Sequence, residues 1–157
     1  MGMGPTARLV YGYALGGDGD GWKVNQLDSY GALSVDWFNS EDKDFAEAAT
    51  TRLLASIVGF TETDWQIEGY FGRKQDAEDL LGIEIVVNGS CEYPRYCLAM
   101  KVCSVEWGET EAFDFVALTA QAASEGWSDR LRKAMDTLGL TTDQSRSPQW
   151  ILTAYYG

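Results

Sequence analysis

Histidine is absent from this chain, and basic residues are scarce, with 12 Lys and Arg against 24 Asp and Glu. Without histidine there is no imidazole base to activate a serine or cysteine nucleophile and no imidazole ligand for zinc. No apolar run approaches the roughly 18 residues of a membrane span, so we expect no transmembrane helix. The first residues carry neither a basic nor an apolar stretch, so we expect no signal peptide and a cytoplasmic location.

Cysteine is also rare: Cys91, Cys97 and Cys103 are the three in the chain. An odd count without a secretion signal predicts reduced thiols rather than a disulfide framework. Their regular spacing suggests a metal site, but the geometry argues against it. Six residues of strand separate Cys97 from Cys103 by about 20 Å, and six residues of helix by about 9 Å. Zn–S bonds are only about 2.3 Å long, so we expect no zinc site.

The remaining composition is that of a folded protein. Of the 157 residues, 45% are hydrophobic and 13% are aromatic, which is enough to build a core and too apolar for a disordered chain. No linker, repeat or low-complexity tract interrupts the sequence, so we expect residues 1–157 to form a single domain.

Hydrophobic periodicity predicts an α+β fold, with a mostly antiparallel sheet of four to five strands packed with three to four helices. The predicted strands cover 8–15, 33–37, 83–87, 96–107 and 148–156. The predicted helices cover 41–58, 74–81, 111–124 and 128–138.

Three local signals refine these predictions. Ser40 is a good N-cap for the first helix, and Asn88-Gly89 is a turn signal after the strand at 83–87. The helix at 111–124 is predicted from an apolar stripe at helical spacing. The stripe consists of Phe113, Val116, Ala120 and Ala123.

The negative charge is concentrated in two segments. Residues 13–72 hold 11 acids and 3 bases, and residues 102–125 hold 5 acids and no base. Such segments repel nucleic-acid phosphates and anionic membranes, so we expect neither as a direct partner. They favour a protein with a basic surface, whose complementary field would speed association. The alternative is that the acidity serves only to keep the protein in solution.

The segment Gly16–Trp22 has four glycines in seven residues and two carboxylates, Asp18 and Asp20. It lacks the ligand spacing of an EF-hand and the Lys-Ser/Thr pair of a phosphate-binding loop. Asp18 and Asp20 are candidates for a Mg²⁺ or Ca²⁺ site, and a solvated hairpin or loop is the alternative. We therefore expect no metal and no cofactor.

Any catalysis here would rest on carboxylates, and Glu84 and Glu106 are the candidates. Both lie in otherwise apolar predicted strands, where burial would raise the pKa of a carboxyl. Alternatively, each points outward or pairs with Lys101 or Arg95. The sequence favours a non-enzyme and leaves the question open.

Tryptophan and tyrosine are abundant, and their rings serve either as core residues or as contacts for ligands and partners. Glu92–Tyr96 places two rings and a guanidinium on a predicted turn before a strand, an arrangement typical of a recognition loop. The candidate binding residues are Trp22, Trp37, Tyr93, Arg95 and Tyr96.

Several segments resemble small proteins of unknown function in actinobacteria and their phages. The matching segments are Tyr11–Gly17, Leu81–Val86, Tyr93-Pro94, Pro148–Leu152 and Tyr155–Gly157. The resemblance implies a cytosolic, phage-encoded protein of the kind that binds a host factor. It implies no activity, cofactor or site residue.

Three hypotheses follow. The first is a non-enzymatic acidic accessory protein of a phage or mobile element that binds a host protein. The second is a receptor for a nucleotide or sugar that uses the aromatic residues and Arg95. The third is a carboxylate-based or Mg²⁺-dependent hydrolase. A homodimer formed through an apolar terminal strand is compatible with each.

Overall fold

A computed structural model describes residues 4–19, 21–41, 44–143 and 147–157 of the chain. The strands are β1 Thr6–Gly17, β2 Gly21–Trp22, β3 Glu84–Ser90, β4 Pro94–Val105 and β5 Gln149–Tyr156. The helices are α1 Phe45–Leu53, α2 Tyr70–Leu81, α3 Phe115–Ser124 and α4 Trp127–Leu138, and a π-helical turn, Leu54–Val58, extends α1. The α+β prediction is confirmed, including the mostly antiparallel sheet.

The four long strands pair in a closed ring. Strand β1 pairs antiparallel with β4 on one side and with β5 on the other, and β4 pairs antiparallel with β3. The ring closes where β3 and β5 pair in parallel, at Gly89 with Tyr155 and at Ser90 with Tyr156. Strand β2 forms a short hairpin with the end of β1.

The ring separates two clusters of buried side chains. Alternate residues of β1 face opposite ways, so Tyr13 and Leu15 join the large core beneath the helices, and Val10 joins a small inner cluster. The inner cluster consists of Val10, Val86, Cys97 and Ala99, with Ala14 and Ile151 packed against it. The central parts of β1 and β4 have buried apolar residues on both faces, as expected for strands that are covered on both sides.

Helices α1, α2 and α4 cover the outer face of the sheet. The predicted inward residues of α4 are all buried: Leu131, Ala134, Met135 and Leu138. The hydroxyl of Tyr11 on β1 is hydrogen-bonded to Ser128 Oγ at the start of α4, at 2.8 Å. The guanidinium of Arg130 on α4 donates a hydrogen bond to Leu81 O at the end of α2. These contacts tie the sheet and two helices together.

The structure corrects the start of the first helix. Asp44, rather than Ser40, is the N-cap, and its carboxylate accepts a hydrogen bond of 3.2 Å from Glu47 N. An N-cap must lie immediately before the helical backbone, and Ser40 is four residues too early. The helix ends at Gly59, as predicted, in the left-handed conformation.

Two of the β predictions also differ from the structure. Asn88 and Gly89 lie within β3, paired with Arg95 and Pro94, and the chain turns after Ser90. The segment 33–37 is irregular except for a single bridge between Leu27 and Leu33. Asn88-Gly89 is a turn signal from local propensity alone, and here cross-strand pairing overrides it.

None of the described helices combines the length and the apolar character needed to cross a membrane.

Gly12 marks the closest approach between β1 and β4. A Cβ at this position would lie 2.0 Å from Leu98 O and 2.6 Å from Ala99 Cα, both backbone atoms. We expect Gly12→Ala to lower the free energy of unfolding by at least about 1–3 kcal/mol, because the paired strands must move apart. Chemical denaturation measures this change.

Gly72→Ala is the matched control, because Gly72 lies in α2 and a Cβ there has no atom within 4 Å. We expect this variant to gain about 0.5–1 kcal/mol from helix propensity. Equal stability of the two variants would contradict the close packing of β1 on β4.

Candidate functional site

Trp22, one of the candidate binding residues, is a core residue with 8% of its surface exposed. Its ring stacks on Tyr96 at 5.7 Å and meets Phe45 edge-on at 4.9 Å. Its indole N–H donates to Asp18 Oδ1 at 2.7 Å. The ring therefore anchors the β1–β2 hairpin to α1 and β4 and has no face open to a partner.

Trp37 and Tyr96 also pack against Phe45. Trp37 is half-buried beside Phe45, and its indole N–H donates to Leu138 O at the end of α4, 2.8 Å away. Tyr96 is buried, with its ring 4.9 Å from that of Phe45. Together with Trp22, these residues form an aromatic cluster around Phe45 in the core.

Tyr93 and Arg95 are the exposed members of the group. Tyr93 lies between β3 and β4 with 57% of its surface exposed. Arg95 is exposed and lines a cavity together with Tyr96 and Lys23. The five candidates are thus divided between the core and one end of the sheet, and they do not form a single binding surface.

The two candidate catalytic carboxylates lie far apart. Glu84 is the first residue of β3 and pairs with Ala99, whereas Glu106 follows the last residue of β4. Seven residues of extended chain separate those positions on β4 by roughly 20 Å. Both side chains are exposed, so they are neither brought together nor placed in an apolar environment.

The glycine-rich segment is a hairpin: Gly16 and Gly17 of β1 pair with β2. Asp18 accepts the hydrogen bond from Trp22, and Asp20 lies outside the described residues. Within the described part of the chain, no three His, Cys, Asp or Glu residues are grouped to hold a metal ion. Cys91, Cys97 and Cys103 are free thiols, exposed, buried and half-buried respectively.

Helix α3 is the least buried element of the fold. None of its ten residues is fully buried, although seven are Ala, Val, Leu or Phe. Leu118 and Ala122 are half-buried, Ala122 packs against the core, and the ring of Phe115 meets that of Trp150 on β5 edge-on at 6.2 Å. The apolar stripe of Val116, Ala120 and Ala123 therefore points outward rather than into the core. The core face of the sheet is already covered by α1, α2 and α4.

The outward stripe continues onto neighbouring elements. Val116 is 82% exposed, and Leu152 of β5 is 76% exposed. The ring centroids of Phe113 and Phe115 are 5.9 Å apart. Phe113 and Leu152 line the same small cavity. We call this region the α3 surface. It consists of Phe113, Phe115, Val116, Ala120, Ala123 and Leu152.

Carboxylates surround the α3 surface in sequence. Glu106, Glu109 and Glu111 precede it, and Asp114 is the N-cap of α3 and accepts from Ala117 N at 3.1 Å. Glu125 follows the helix and accepts from the indole N–H of Trp127 at 2.7 Å. An exposed apolar helix therefore lies between acidic ends, in the segment that has no base.

Sequence reasoning located this segment by its charge but missed the surface. The available signal was that α3 has no charged residue over ten positions and only three polar ones, Thr119, Gln121 and Ser124. A helix of that kind is normally buried by something.

Comparison of the chain with protein-family models, curated proteins and solved structures finds no match, so the functional argument depends on the geometry described above.

We expect Trp22→Ala to lower the free energy of unfolding by about 3–5 kcal/mol, because it removes the centre of the aromatic cluster. Tyr93→Ala, at an exposed position, should change it by no more than about 0.5 kcal/mol. Denaturant titration of both variants measures the difference. A small loss for Trp22→Ala would show that the ring is not a structural anchor.

The buried phenol of Tyr96 has a pKa raised from 10.0 to about 12, chiefly by burial, with the carboxylates of Asp44 and Asp18 adding to the effect. The unfolded chain loses this proton at lower pH than the folded one. Stability from this group is therefore complete below the ordinary pKa of 10.0 and is lost as the pH rises toward about 12. Tyr96→Phe should accordingly show a shallower decline of unfolding free energy over that pH range. A decline as steep as that of the unmodified protein would contradict the assignment.

Proposed function

We propose that this chain is a non-enzymatic interaction protein, a cytoplasmic accessory factor of a phage or mobile element, that binds a host protein with a basic surface. The observation that carries the proposal is the α3 surface, an exposed apolar helix face between acidic ends. Large exposed apolar patches with polar rims are typical of protein-binding sites.

The spacing of the exposed residues suits a helix that docks in a groove. Val116, Ala120 and Ala123 occupy positions i, i+4 and i+7, the pattern by which amphipathic helices fill hydrophobic grooves. Phe113, Phe115 and Leu152 would widen the contact on one side. Small alanines at two of the three helix positions allow close approach of the partner.

The charge distribution defines the partner. Glu109, Glu111 and Asp114 beside the helix favour a groove flanked by Lys or Arg, since complementary fields increase the association rate and exclude wrong partners. A second copy of this chain is a poorer occupant. In a two-fold dimer the same patch meets itself, so the two acidic segments would lie against each other.

The proposal is tested by using the protein as bait for an actinobacterial lysate at low and high salt. The variant is Val116→Glu on the α3 surface, and the matched control is Leu80→Glu on α2, where the side chain is 74% exposed. Both add one negative charge at an exposed apolar position. We expect a protein with a basic surface to be retained by the unmodified bait and by Leu80→Glu and released by high salt. The Val116→Glu bait should retain at least about tenfold less of it.

Retention of the same protein by all three baits, or binding that is insensitive to salt, would contradict the proposed surface. Sedimentation of the unmodified protein tests whether a second copy of this chain occupies the α3 surface. A dimer that Val116→Glu dissociates, with no partner retained, would assign the α3 surface to self-association instead.

A further inference from the structure

Arg73 of α2 fixes the position of the loop that precedes this helix. Its guanidinium forms a bidentate pair with the carboxylate of Glu62, with N–O distances of 2.7 and 2.8 Å. The same guanidinium donates a third hydrogen bond to Glu68 O at 3.0 Å. One side chain therefore holds both ends of residues 62–68, and a loop held in this way has little freedom to lose when a partner binds.

A cavity of about 310 Å³ lies between this loop, α1 and the start of α2, and we call it the α1–α2 cavity. Leu54 and Ala55, from the π-helical turn that extends α1, form one part of its wall. The half-buried rings of Phe60 and Tyr70 form another part. Short π-helical turns are rare in proteins and are found frequently at functional sites. The volume is at the lower end of the range of ligand pockets and has room for one large apolar side chain.

Aromatic rings lead from the cavity to the protein surface. The ring centroids of Phe60 and Tyr70 are 5.9 Å apart, and those of Tyr70 and Phe71 are 5.3 Å apart. Phe71 is 66% exposed, and in the adjoining loop Trp65 and Ile67 are 63% and 53% exposed. Pockets for small molecules enclose most of the ligand, whereas an apolar surface that continues outside the pocket is typical of a protein contact. The extent of this surface therefore suits a segment of polypeptide better than a small molecule.

The charge around the cavity is negative. Residues 60–72 hold three acids and no base. The exposed carboxylate of Glu47 lies in the cavity wall and makes no ion pair with the residues that the structure describes. Lys74 also lines the cavity, but its ammonium is 4.0 Å from the carboxylate of Glu78, which offsets its charge. A partner with basic side chains is complementary to this region.

We propose that the α1–α2 cavity is a docking site for a short basic segment of a partner protein. One apolar side chain of that segment fills the cavity against Phe60 and Tyr70, and a neighbouring Lys or Arg pairs with Glu47. Burial of the apolar side chain supplies affinity, and the charge pair orients the segment and excludes acidic ones. The site goes beyond the proposed function, because it shares no residue with the α3 surface and can bind independently of it.

The probe is the peptide Lys-Lys-Leu-Lys-Lys with blocked ends, added to the full chain at constant ionic strength and followed by amide chemical shifts in NMR. We expect saturable shifts at Thr51, Ala55 and Thr63, which lie in the cavity wall. Lys-Lys-Ser-Lys-Lys has the same charge without the apolar side chain and should bind at least about tenfold more weakly. Gln-Gln-Leu-Gln-Gln keeps the leucine without the charge, so its weaker binding should not depend on salt.

Ala55→Leu fills the cavity without changing the charge and should weaken binding of the leucine peptide by at least about tenfold. The matched control is Ala117→Leu, at an exposed position of α3 outside the α3 surface, which should leave binding unchanged.

Glu47→Gln tests the charge pair at an exposed position of α1, where the substitution leaves the core intact. It should weaken binding of Lys-Lys-Leu-Lys-Lys by about two- to fivefold and leave binding of Gln-Gln-Leu-Gln-Gln unchanged. Glu92→Gln, which removes an exposed carboxylate between β3 and β4, is its control and should affect neither peptide.

The inference would be overturned by the absence of saturable shifts, by equal binding of the serine and leucine peptides, or by shifts spread over acidic surfaces away from the cavity. Shifts of the cavity residues that depend on protein concentration without peptide would assign the cavity to a second copy of this chain, which also overturns the inference. Val116→Glu leaves this cavity intact and Ala55→Leu leaves the α3 surface intact, so failure here and failure of the proposed function are distinguishable.

Discussion

The rest of the structure depends on the pairing of β1 with two strands at once. From Ala7 to Gly12 this strand is paired with β4 on one side and with β5 on the other. The first strand of the sheet, β1, thereby lies beside the last, β5, and β5 also pairs in parallel with β3. The approach of β1 to β4 is so close at Gly12 that no side chain fits there, and the cross-strand backbone of Leu98 and Ala99 occupies the space.

Closure of the ring determines which surfaces remain available. The inner face is filled by small residues such as Val10 and Ala99, and the outer face is covered by α1, α2 and α4. Helix α3 lies outside this layer and contacts the rest of the protein through Ala122, which packs against the core, and through Phe115, whose ring meets that of Trp150 on β5. Where β3 and β5 diverge, a cavity is lined by Asn88 and Gly89 on one side and by Ile151–Ala154 on the other. The exposure of α3 and the position of this cavity are therefore consequences of one topology.

Charge is distributed between these surfaces with opposite signs. The carboxylates of the α3 region lie beside exposed apolar side chains, whereas Lys23 and Arg95 line a cavity at one end of the sheet. A net charge of −12 hides this arrangement, because it sums over both regions. Local fields, more than net charge, decide what each surface can attract.

The sequence by itself determined the fold class, the inward face of α4 and most strand positions, because these follow from periodicity within one segment. It also determined that chemistry here has no imidazole. The tertiary structure alone decided that Trp22 and Tyr96 are core residues, that Glu84 and Glu106 are apart, and that the stripe of Val116, Ala120 and Ala123 faces water. An apolar stripe indicates that one side of a helix favours burial, but which element or partner buries that side depends on residues distant in sequence. In this chain the pairing of β1 with β4 and β5 determines which helices cover the sheet, and no local sequence pattern indicates that pairing.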